Sequence, residues 1–164
     1  RKLRMDRELA LLSLCYLFFA IPLAFMDSRK FRISLPFLSV GFVTIILCRF
    51  VVLSMPLVPV CKNLVFALLS SGLIYGCTRV LTDGGLGLGD VFFGLFSALY
   101  TGFYMNIIAT FFAALLGVMY YLLLALVQRH KKKQIVHRPV FAIPFVPFIA
   151  SASVLTMLLF FVIA

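Results

Sequence analysis

The chain has 164 residues, of which 64% are hydrophobic and only 12% charged, and its formal net charge is +10. That much apolar surface cannot be hidden inside one soluble core, so a water-soluble domain is excluded and residues 1–164 read as a single polytopic membrane domain. The basic balance would raise nucleic-acid binding in a soluble protein, but no groove-reading motif or aromatic-interleaved basic stripe accompanies it here.

Six apolar runs are predicted to be helices, measured against the roughly 20 residues needed to cross a hydrocarbon core of about 30 Å. They cover 9–26, 36–55, 64–80, 91–103, 107–127 and 141–164. The first follows a basic start, as a secretory signal would. It is long for such a segment and ends in "MDSRKFR" with no small-residue cleavage site, so it is expected to be a retained span. The second contains Arg49, about 20 Å into the span at 1.5 Å per residue, where snorkelling to the outer headgroups accounts for it without function.

Pro56, Pro59, Lys62 and Asn63 mark a turn before the third run. The fourth, at about 13 residues, falls short of a full crossing and is expected to be short, tilted or recessed and buried by its neighbours. Joining it to the fifth would need a helix of about 55 Å, so a turn at Gly102, Tyr104 and Asn106 is preferred. After the fifth run, "RHKKKQ" at 129–134 reads as an anchor on anionic lipid headgroups. Strand alternation is absent, and the fold class is all-α, a membrane helical bundle of about six transmembrane helices.

Alternating the spans puts Arg29, Lys30, Arg32, Arg79, Arg129, Lys131, Lys132, Lys133 and Arg138 on one face. The other holds Arg1, Lys2, Arg4 and Arg7, diluted by Asp6 and Glu8, plus Lys62. Excess basic residues mark the cytoplasmic side, which places both termini outside a plasma or inner membrane. Cys15, Cys48, Cys61 and Cys77 show no C-x-x-C and no His at ligand spacing, and read as small apolar fillers. His130 and His137 lack a carboxylate or thiol companion, so neither a metal nor another cofactor is expected.

Beyond the N-terminal Asp6 and Glu8, the acids are Asp27, Asp83 and Asp90. Two spans separate Asp27 from the 83–90 loop, so all three share a face. Asp83 lies four residues after Arg79 and is expected to pair with it. Asp27 has an alternative as a helix-end residue paired with Arg29 or Lys30. Yet "PLAFMD" and "LGLGDVFF" set Asp27 and Asp90 directly against apolar sequence, where ionisable groups are expensive. Two close carboxylates in such a place cannot both ionise cheaply. One keeps its proton while the other stays charged, the combination that activates water and protonates a leaving amide, as in an aspartyl protease. Gly87 and Gly89 would allow close backbone approach and positive φ, and Asp90 would open a helix.

These residues carry a resemblance. "GLGD" at 87–90 resembles the G-x-G-D motif of intramembrane aspartyl proteases. "DSRKFRI" at 27–33 resembles the D-x-R-x-x-R-I segment of type IV prepilin peptidases, and "IPFVPFIASA" at 143–152 is similar to the P-F-x-P-F-x-x-x-x-A start of their last helix. The resemblance implies an endopeptidase with Asp27 and Asp90 as the catalytic pair. Arg29, Arg32, Gly87 and Gly89 would be supporting motif residues, Pro144 and Pro147 would shape a substrate cleft, and Asp83 would be a further cleft residue that reads the basic leader's charge if it does not pair with Arg79. The substrate would be a prepilin-like precursor, a pilin, pseudopilin or preflagellin, cut after its short basic leader at the cytoplasmic membrane surface.

The chain departs from the pattern at Phe92, where many members carry a lysine, and at Ser34 and Leu35. Only nine residues, 27–35, separate the first two spans, without the cysteine-bearing domain that many members insert there and that is associated with N-methylation. A compact peptidase without methyltransferase activity is therefore expected. Two other classes remain. One is a small transporter or proton pathway, against which no polar residues are expected to continue across the bilayer. The other is an inactive scaffold relative.

Overall fold

A computed structural model describes residues 2–30, 32–52, 57–83, 85–130 and 144–163. Among them are six helices and no strand: α1 (Lys2–Lys30), α2 (Leu35–Val52), α3 (Leu57–Leu81), α4 (Leu88–Thr101), α5 (Phe103–His130) and α6 (Val146–Ile163). The expected helical bundle is present. Three stretches, Glu8–Lys30, Leu57–Leu81 and Phe103–Leu123, are long and apolar enough to cross a membrane, and three shorter apolar helices accompany them.

The helices form where uninterrupted apolar residues leave the backbone no better donor or acceptor than its own fourth neighbour. Their ends differ from expectation in instructive places. Pro59, Lys62 and Asn63 do not make a turn but fall in the first two turns of α3. Proline fits there because first-turn N–H groups have no intrahelical acceptor to lose. The break between α4 and α5 is a single residue, Gly102 at φ 78°, while Tyr104 and Asn106 are already helical. The basic residues and His137 within 131–143 lie outside the described residues.

As expected, α4 is short and enclosed. It has 14 residues, about 21 Å at 1.5 Å per residue, and Phe93, Gly94 and 96–101 are buried. It touches every other helix of the bundle. Phe96 is the hub, with the rings of Tyr16, Phe42 and Phe93 at 5.3, 5.7 and 5.8 Å between centroids. Close approach of α3 depends on Gly94, where any Cβ would overlap the Tyr75 ring. Small residues at such crossings are how helices pack where no hydrophobic effect drives them together. With α4 fixed this way, its N-terminus lies beside the C-terminal end of α1 and the start of α6.

Candidate active site

Asp27 lies one turn before the end of α1 and is only 6% exposed. Its Oδ2 accepts a hydrogen bond from the Val146 backbone N–H at 3.3 Å. Val146 is the first residue of α6, so that N–H has no intrahelical partner and is free for a carboxylate. The local sequence supports this. Pro144 precedes the helix, and Pro147 occupies its second position, where a missing N–H costs nothing. The alternative pairing of Asp27 with a neighbouring base is not formed. The Arg29 guanidinium stacks 4.3 Å above the exposed Phe25 ring, and Lys30 and Arg32 are exposed.

Asp90 is the third residue of α4 and half-buried. Its Oδ2 accepts from the N–H of the N-cap Gly87 at 3.1 Å, the reach-back that an acid three residues into a helix makes. Gly87 is extended, with φ −63° and ψ 147°, and neither motif glycine has positive φ. That half of the expectation fails. Among the described residues the left-handed backbone falls on Asp83, φ 48°, and Gly102. Close approach is the requirement that holds: a Cβ on Gly89 would sit 2.8 Å from Ile33 Cδ1.

The three motif segments therefore meet. Ile33, from the stretch after α1, packs on Gly89 of the second segment, and Val146 of the third holds Asp27 of the first. The Asp27 and Asp90 carboxyls lie within electrostatic range of each other, and the Tyr75 phenol within range of Asp90. Each carboxyl uses one oxygen on a backbone N–H, which leaves a second oxygen on each for a water molecule. N-termini of two helices, α4 and α6, point at this place and favour negative charge there.

Other candidate residues sit apart. Asp83 is exposed and makes no ion pair with Arg79, which donates instead to the Leu86 carbonyl and so ties down the loop before α4. Arg29 and Arg32 are at the exposed rim. Sequence reasoning misses Tyr75 and Ile33 as residues beside the aspartates. An aromatic in an apolar run gives no local signal, and Ile33 is marked only as the last residue of its motif.

Two expectations are corrected at the opposite end of the bundle. Arg49 does not snorkel: it is 8% exposed, and its Nη2 donates to the Tyr100 carbonyl at 2.6 Å, at the C-terminus of α4. A cation there meets helix carbonyls that lack intrahelical donors. Nor is the bundle interior free of polar groups. Tyr16 shares a hydrogen bond with Ser97 at 2.7 Å and Ser13 with Tyr100 at 2.9 Å, while Ser71, Thr101, Asn106, Ser153 and Thr156 are also buried. The two tyrosine rings stack at 4.1 Å, which turns this seam into a packed wall along α4.

No family model, curated protein or solved structure matches this chain.

Proposed function

We propose that the protein is an intramembrane aspartyl endopeptidase of the prepilin-peptidase type, which removes the basic leader of a prepilin-like precursor at the cytoplasmic membrane face. What supports this reading is that Asp27 and Asp90, each on a backbone N–H, lie at one end of an apolar bundle on segments joined by the Ile33–Gly89 contact. In the reaction, the ionised carboxyl takes a proton from water as that water attacks the scissile carbonyl carbon. The protonated carboxyl donates to the carbonyl oxygen. Collapse of the tetrahedral intermediate then breaks the C–N bond, with a proton delivered to the leaving amine. The apolar surroundings strengthen these interactions by excluding bulk water. Because the connection from α1 to α2 is short, no methyl transfer accompanies cleavage.

The test is reconstitution in liposomes with a prepilin-like precursor. Wild type releases the leader, and Asp27→Asn and Asp90→Asn each slow release by about 10²-fold or more, the range for losing a general acid or base. Undiminished cleavage by either variant refutes the pair. A second reading, a proton pathway, draws on the buried hydroxyl seam between Asp90 and Arg49. Proton flux through wild-type liposomes that cut no precursor would favour it. Silence in both assays would favour a scaffold relative.

A further inference from the structure

The outer surface of the bundle is not evenly filled between α1 and α6. Near the candidate site, Ala20, Ile21 and Ala24 of α1 face Pro147, Ala150 and Ser151 of α6 across an open gap of about 450 Å³. Farther from the site this gap adjoins a second one of about 430 Å³ that shares Leu17, Val154 and Leu158 and reaches the hydrogen-bonded Ser13 and Tyr100. The lining residues of each helix recur at three- and four-residue intervals, so the two gaps form one groove parallel to both helices. From Pro147 to Leu158 it runs about 17 Å at 1.5 Å per residue, over half the thickness of a hydrocarbon core.

Three features decide what fits. The lining near the site includes the small side chains of Ala20, Ala24, Ala150 and Ser151, over which another helix backbone can approach closely and gain packing contacts. Its walls are almost wholly apolar, suited to a hydrophobic segment. Its near end is continuous with the candidate site, since Ala24 lies three residues before Asp27 and Pro147 follows the Val146 whose N–H holds Asp27. A chain leaving the groove at that end comes up beside Asp27.

We propose that the α1–α6 groove receives the precursor's own hydrophobic helix, so that the residues just before it emerge, unwound, beside Asp27 and Asp90. This rests on the peptidase reading for the identity of the helix, and the groove would fix which peptide bond meets the carboxyls.

The test compares two positions of similar exposure. Ile21, 63% exposed, lines the groove, whereas Val43, 58% exposed, faces outward from α2 and lines none of it. A photoreactive benzophenone side chain is placed at one or the other in the Asp27→Asn protein, and a prepilin-like precursor is added in liposomes. Labelling of the precursor helix from Ile21 at least fivefold above Val43 is expected. Equal labelling, labelling of lipid alone, or cross-linking to a second copy of the chain overturns the proposal. In parallel, Ala150→Leu in the otherwise wild-type protein should raise KM about tenfold for the full precursor. It should leave KM unchanged for a short peptide that spans the leader junction without the helix. Equal effects on both substrates overturn the groove assignment while leaving the peptidase reading intact. Selective labelling from Ile21 with no cleavage by wild type overturns the peptidase reading and leaves the groove as a helix-binding site.

Discussion

Gly89 leaves the site's geometry little room, because it is where the stretch after α1 touches α4. Adding one methyl places a Cβ 2.8 Å from Ile33 Cδ1 and 3.3 Å from Ile33 Cβ, so a side-chain rotation alone does not relieve the overlap. Gly89→Ala should destabilise the protein by about 1–3 kcal/mol, as overpacking does, and Ile33→Ala in the same chain should restore most of it. Thermal unfolding in detergent, with precursor cleavage alongside, measures both. Phe92 behaves differently. It is 40% exposed beside the fully buried Phe93, so Phe92→Lys should cost about 1–2 kcal/mol, the covered share of a side chain worth about 1.5–3 kcal/mol when fully buried. Under the peptidase reading its effect falls on substrate preference, read as relative kcat/KM for leaders of different charge. The two aspartates were legible in sequence because acids are so scarce in an apolar chain. The Ile33–Gly89 contact was not, since it joins residues 56 positions apart and no local pattern encodes which isoleucine faces a glycine.

At the level of single helices, α4 is held at both termini by unlike devices. Gly87 and Asp90 close its start, and Arg49 from α2 meets its last carbonyls. Arg49→Ala should cost about 1.5–3 kcal/mol, the range for a hydrogen bond made by a charged group, and should lower the unfolding temperature without altering the carboxyl pair. Depth along a span was readable from residue counting, yet it led to the wrong role for Arg49. Counting gives height in the membrane and not the direction a side chain faces. The same blindness applies to Cys15 and Cys48, which sequence spacing leaves as unrelated fillers but which packing brings to 3.5 Å between sulfurs. That separation permits cross-linking after a small adjustment towards disulfide geometry. In a Cys61→Ser, Cys77→Ser background, copper phenanthroline should join α1 to α2 within one chain, seen as a faster-migrating band on a non-reducing gel. Only higher oligomers, or no change, would contradict the α1–α2 packing.

Considered as a whole, the bundle alternates in helix length. Within the described residues α1, α3 and α5 have 29, 25 and 28 residues, whereas α2, α4 and α6 have 18, 14 and 18. The number and order of helices were legible because turn formers and charges interrupt the apolar runs. Their lengths were less so, because a helix end here is decided by which neighbour supplies a donor or acceptor. One of these lengths has a mechanical consequence. Both ends of α4 lie within the described residues, and its 14 residues rise about 21 Å, about 9 Å less than a typical hydrocarbon core of about 30 Å. Gly102 at one end is buried while Gly87 at the other is exposed, so in a bilayer the shortfall would open at the Asp90 end. It would form a wet notch in an otherwise greasy wall, from which an attacking water could be drawn.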